Sequence, residues 1–176
     1  FLDIMAAQAD RMGRLVADLL SLSRIELNEH IPPSGRVDLD RAAADVVDAV
    51  SVIVQEKDVT VVLDRGEARA SVSGDRDEIV QVVQNLLDNA VKYSLRGGTV
   101  EVTVRADLSF EDASASRMSG ATRLPLVTPD RDSGVLYAAV TVRDHGPGMA
   151  REHLPRLTER FYRVEGQKSG ERQGTG

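Results

Sequence analysis

The chain has 176 residues, a formal net charge of −6, three Phe, three Tyr, no Trp and no Cys. Without cysteine it has no disulfide, thiolate metal site or cysteine nucleophile, and the acidic balance argues against a nucleic-acid partner, which needs a basic excess to release counterions. No apolar run approaches the length of a membrane span, and Val, Leu, Ile and Ala must fill the core.

Residues 1–28 read as one helix. Leu2, Met5, Ala9, Met12, Val16 and Leu19 alternate steps of three and four, the seam of a coiled coil or helical bundle. Leu15, Leu20, Leu22 and Ile25 widen that face beyond what a lone helix leaves in water, so partner helices are expected. No capping residue precedes Phe1, as in a helix cut from a longer element. Pro32, Pro33 and Gly35 stop the helix, and a linker is expected over 29–36. A second domain follows over 37–176. It begins with a short strand over 36–39 and a helix from Asp40 to about Lys57, with Ala43, Val46, Val47, Val50, Val52 and Ile53 on its apolar side. The β-branched run 58–64 and the run 70–73 read as strands.

Gly74-Asp75 then opens a helix over 77–94, with an apolar stripe of Ile79, Val82, Val83, Leu86, Leu87 and Ala90. Thr99 to Ala106 alternates as a half-buried strand, and Val135 to Arg143 as its antiparallel neighbour. Between them, 107–134 is rich in Ser, Ala, Asp and Pro without sustained periodicity; it is either a flexible insertion, which the composition favours, or a partner contact. The expected class is α+β: an α/β sandwich of one mixed sheet with helices on one face, preceded by a bundle-forming helix.

The polar face of the helix over 77–94 carries Glu78, Gln81, Asn85, Asn89 and Lys92, with Tyr93 beside the last. Asparagines are poor helix residues because their side chains compete for backbone hydrogen bonds, so two of them one turn apart call for a reason. Neutral amide oxygens followed by an ammonium suit a hydrated Mg2+ carrying a phosphate chain, and Tyr93 offers a flat face to a base. A solvated helix face with an incidental asparagine pair accounts for the helix alone equally well. After the strand ending at Arg143 comes Asp144-His145-Gly146-Pro147-Gly148-Met149. A carboxylate at a strand end, which only accepts hydrogen bonds, can take the exocyclic amine of adenine, and two glycines allow close approach; the plainer alternative is a Gly-Pro-Gly turn. Leu157 to Val164 joins aromatics to Arg160 and Arg163 and leads into a Gly-rich polar stretch ending at Gly174-Thr175-Gly176. That composition suits a mobile lid over phosphates, or an ordinary polar loop.

NLLDNAVKYS resembles the N box, DHGPGM the first glycine box, RFYRV the F box and GTG the beginning of the second glycine box of sensor histidine kinases. These belong to the wider ATPase superfamily that includes gyrase and the Hsp90 chaperones. RMGRLVADLLSLSRIE resembles the second helix of that family's dimerisation and phosphotransfer hairpin, and SLSRIELNEHIPPSG resembles the phosphate-regulon type. The resemblance implies ATP and Mg2+ as ligands. Asn89, assisted by Asn85, would hold the ion, Lys92 would meet phosphate and Tyr93 would pack near the base. Asp144 would read the adenine amine from a loop shaped by Gly146 and Gly148. Arg163, with Arg160, would approach the γ-phosphate, and Gly174, Thr175 and Gly176 would open the phosphate-binding turn; Asn85, Lys92 and Arg163 would carry the catalysis. It further implies a homodimer through the hairpin, a response regulator as phosphate receiver, and a place in the cytoplasmic portion of a bacterial inner-membrane sensor.

The hairpin's first helix, which bears the phosphoacceptor histidine, has no counterpart in this stretch, and the second glycine box is cut short. His30 before Ile-Pro-Pro, His145 in the glycine loop and His153 near the lid each read as ordinary loop histidines, and none replaces the acceptor. The expected function is therefore transfer of the ATP γ-phosphate to a histidine outside this sequence, the piece alone being inactive. The alternatives are a hydrolytic ATPase of the same superfamily, whose members carry a Glu base where Asn85 stands, and a non-catalytic nucleotide-sensing dimerisation module.

Overall fold

The computed structural model describes residues 2–28, 35–114, 134–157, 159 and 162. The chain divides into two compact units, Ser34–Pro155 and Phe1–Pro33 with Arg156–Gly176.

In the latter unit α1 spans Leu2–Asn28. Ile4, Met5, Met12, Val16, Leu19, Leu20 and Leu27 are all exposed, while Leu15 and Leu22 are half-buried, so much of the apolar seam lies open. Tyr162 receives the Arg156 guanidinium over its ring at 4.1 Å, and Arg156 also pairs with Glu159 at 3.0 Å. Arg160, Arg163, Gly174, Thr175 and Gly176 lie outside the described residues, as do 29–34 of the expected linker and 115–133 of the expected insertion.

Ser34–Pro155 builds the sandwich. Its elements are β1 (Arg36–Asp38), α2 (Leu39–Ala49), α3 (Ser51–Lys57), β2 (Thr60–Arg65), β3 (Ser71–Ser73), α4 (Arg76–Tyr93), β4 (Thr99–Leu108), α5 (Phe110–Ser114), β5 (Tyr137–Arg143) and a 3-10 helix over Arg151–Arg156. β4 is the centre of a three-stranded mixed sheet, parallel to β2 and antiparallel to β5. β1 and β3 form a separate antiparallel pair, so the strands make two sheets where one was expected. The alternation of β4 works as its sequence demands. Val100, Val102 and Val104 are fully buried; the first two join Val46, Val50, Val83, Leu87, Ala90 and Val91 of the helical layer in the main core, and Val104 packs with Leu39, Ala43 and Ala70 in a second cluster.

Several boundaries differ from expectation for local reasons. The helix over 40–57 is two helices. Asp38 caps α2 by accepting from the Arg41 N–H at 3.0 Å, and a break at Val50 turns α3 so that Val52 is exposed while Val50 is buried. In α4, the buried residues are Val83, Leu87, Ala90 and Val91, with Ile79 packed beside them, whereas Val82 and Leu86 are exposed. Steps of four and three from Ile79 hold one narrow stripe; Val82 and Leu86 fall on the other side with the asparagines. The first residues of the expected insertion are ordered structure: β4 runs on to Leu108 past an irregularity in register, and Phe110 of α5 meets Tyr137 edge-on with ring centroids 5.6 Å apart.

Leu87 is wholly buried and its neighbour Leu86 is not. Leu87→Ala is expected to lower the unfolding free energy by about 2–5 kcal/mol and Leu86→Ala by far less. Denaturant midpoints of the two variants, measured side by side, check this.

Candidate nucleotide site at the end of α4

The site is built where α4 stops. The last carbonyls of a helix have no donor within it, and here nearly the whole turn is accounted for. The Ala90 carbonyl accepts from the Ser94 N–H at 3.0 Å and from its hydroxyl at 2.8 Å. The Lys57 ammonium, reaching across from the end of α3, donates to the Val91 and Lys92 carbonyls at 3.3 and 2.8 Å. The Tyr93 carbonyl then faces Gly146. A Cβ on Gly146 would lie within impossible range of that oxygen and 2.9 Å from Asp144 Oδ1, so the loop fits against the helix end only because residue 146 has no side chain. Gly148 takes φ +68°, a conformation that also favours glycine.

This contact unites two motifs far apart in sequence. Asp144 follows directly on β5, and its Oδ1 accepts from the Gly146 N–H at 2.9 Å, closing a local turn and leaving Oδ2 without a partner among the described residues. The carboxylate is exposed. The Lys92 ammonium stands 5.0 Å from the centroid of the Tyr93 ring, so in this arrangement the cation covers the ring. Asn85 and Asn89 are exposed on the same α4 face as Val82 and Leu86, and neither amide bonds to a described residue. Both oxygens are thus free to serve a ligand. No group of three or more His, Asp or Glu among the described residues could hold a metal ion, so an ion here would rest on amide oxygen, water and phosphate, which suits Mg2+.

The other end of α4 is fixed as firmly. Asp75 caps it by accepting from the Asp77 and Glu78 N–H groups at 2.8 and 3.2 Å, and Arg76 pairs with Asp45 of α2 at 2.6 Å. A shallow, open cleft of about 530 Å3 between Asp38, Arg41, Arg65, Glu67 and Arg69 lies elsewhere. It lies by the end of β2 opposite Val104, whereas the loop with Asp144 leaves the sheet beside Glu101. The roles of Lys57 and Ser94 were not foreseen from sequence. A lysine at the end of one helix names no partner, and only the packed structure shows whose carbonyls it meets.

The family described as "Histidine kinase-, DNA gyrase B-, and HSP90-like ATPase" matches residues 74–176, and the chain belongs to it. The sensor protein RssA, a swarming motility regulator of Serratia marcescens, is 31% identical over 157 residues, covering 89% of this chain and 28% of its own length. The phosphate regulon sensor PhoR of Pseudomonas aeruginosa is 29% identical over 172 residues, 98% of this chain and 32% of its own. The chain thus spans about a third of the length of these relatives. Similarity of this degree to both does not single out the phosphate-regulon type. Among solved structures, the mycobacterial sensor histidine kinase MprB superposes with a TM-score of 0.50 at 22% identity, over 73% of this chain and 66% of that one, and has the same fold.

Asp88, between Leu87 and Asn89, has its carboxyl pKa raised above the ordinary 3.8 by partial desolvation, even though the residue as a whole is exposed. The folded chain then holds that proton more tightly than the unfolded chain. Its contribution to stability is full below pH 3.8 and is lost as pH rises through the folded pKa. Asp88→Asn is therefore expected to melt higher than the parent at pH 7, with the gain disappearing toward about pH 4. Thermal melts of both proteins across that range decide it; a constant difference would remove the titration.

Proposed function

We propose that this chain is the ATP-binding catalytic part of a sensor histidine kinase. It would bind Mg-ATP on the exposed face of α4 and in the 144–149 loop, and support transfer of the γ-phosphate to a histidine and then to a response-regulator aspartate. The observation that supports this reading is the seating of Gly146 on the Tyr93 carbonyl, which sets the loop bearing Asp144 against the helix end bearing Lys92 and Tyr93. Asp144 accepts the adenine amine and Tyr93 flanks the base. Asn89 and Asn85 hold Mg2+, which when bound neutralises phosphate charge, and Lys92 swings from the Tyr93 ring to the phosphates. Arg163, with Arg160, and the turn at Gly174, Thr175 and Gly176 would close on the phosphate chain.

Asn85 bears on the hydrolytic alternative. An amide cannot take a proton from water, so the site has no general base at the position where hydrolytic members of the superfamily carry Glu. The open apolar seam of α1 supports assembly as a homodimer through a helical bundle. The sensor names of the relatives support a cytoplasmic role in a membrane-anchored signalling protein with a response regulator as partner.

Calorimetric titration with Mg-ADP and Mg-GDP tests the base specificity. ADP is expected to bind more tightly, because the carboxylate of Asp144 has no donor to meet at the guanine carbonyl; equal affinities remove its assigned role. With the chain joined to a hairpin bearing an acceptor histidine, Mg-ATP should yield an acid-labile, base-stable phosphate. Asn89→Ala should abolish that labelling. Asn85→Glu should lower it with at most a small rise in free phosphate. Rapid ATP hydrolysis without labelling by the unsubstituted protein would transfer the assignment to the hydrolytic class.

A further inference from the structure

Glu101 stands on β4 directly opposite Arg143, the last residue of β5. One of its oxygens, Oε2, lies 3.6 Å from Arg143 Nη1, and the other, Oε1, lies 3.2 Å from His145 Nε2. A carboxylate has no proton to give, so the imidazole nitrogen is the donor. Arg143 and His145 are the residues on either side of Asp144, and a single carboxylate therefore holds both flanks of the loop's acceptor. The Arg143 contact is an ordinary cross-strand pair. The His145 contact is different, because it lies past the end of the ladder, where Asp144 itself makes only its local turn to Gly146. We infer that Glu101 is a positioning residue for base recognition: by bridging Arg143 and His145 it aims the free oxygen of Asp144 at the adenine amine. This rests on the reading of Asp144 proposed above. It assigns a role to a strand residue and a loop residue that lie outside the glycine positions of the motif.

The three side chains are each about half exposed, so the bridge is partly screened and its effect is modest. The test is the ratio of Mg-ADP to Mg-GDP affinity, measured by calorimetry on the chain and its variants at low salt. Glu101→Gln and His145→Leu are expected to weaken ADP by about two- to five-fold and leave GDP, held by its phosphates, unchanged. His145→Gln keeps a neutral donor and should restore most of the ratio. A merely stabilising role would weaken both nucleotides alike and lower the melting temperature, and that outcome overturns the inference. So does an undiminished ratio in both Glu101→Gln and His145→Leu, which leaves the Asp144 reading intact. Equal affinities in the parent remove Asp144 as reader and this role with it. Should Glu101→Gln not fold, His145→Leu decides alone, since its side chain sits in an exposed loop.

Discussion

The approach of the Gly146 backbone to the Tyr93 carbonyl is the constraint on which the rest of the site depends. A helix C-terminus presents a ring of acceptors that must be satisfied or hydrated. In this protein Ser94 and Lys57 take three of them, and the next faces the loop. The helix end is thereby fixed from α3, and the loop after β5 is fixed by the helix end. A lysine ammonium is well suited to the first task. It donates to adjacent carbonyls at once and adds a positive charge where the helix dipole is negative. Any shift of α3 relative to α4 would pass directly to the loop through this short chain of contacts.

The sheet supplies the other coordinate. β4 is covered by helices on its buried face, with Val100, Val102 and Val104 fixing which residues point inward. Register with β5 sets Arg143 opposite Glu101 and so determines where the loop leaves the sheet. A slip of one residue would send the inward valines outward and carry Asp144 to the wrong face. Core packing and site geometry are therefore one constraint: the hydrophobic alternation that stabilises the sheet also places the acceptor.

The strong periods and the positions of the motifs on helix and loop were legible in the sequence. The alternation of 99–106, the glycine positions at 146 and 148, and the helix carrying Asn85 and Asn89 all have local causes, and the structure places Gly146 against that helix. What could not be read is what depends on partners. The helical spacing of Val82 and Leu86 suggests burial, yet which side of a broad apolar stripe meets the core is chosen by the sheet. The break at Val50 likewise carries no Pro or Gly to announce it. Lys57, Ser94 and Glu101 are common residue types in unremarkable positions; their roles arise from atoms brought near by folding. The separate pairing of β1 with β3 was hidden because strands of three residues have almost no pattern to read.

On the proposed reading, the distribution of charge favours a site that holds a nucleotide over one that attacks it. With a formal net charge of −6, the chain offers a polyanion no general attraction, so each group near the phosphates matters. A carboxylate in place of Asn85 would bring a base and also a negative charge beside the phosphate chain. The amides of Asn85 and Asn89 supply oxygen ligands without that charge, and the exposed Val82 and Leu86 beside them bring no polar group to orient water. On the proposed reading these features act together: adenine is fixed at the well-braced loop, the phosphates lie beside the neutral amides of Asn85 and Asn89, and no base at position 85 activates water before the γ-phosphate meets its histidine.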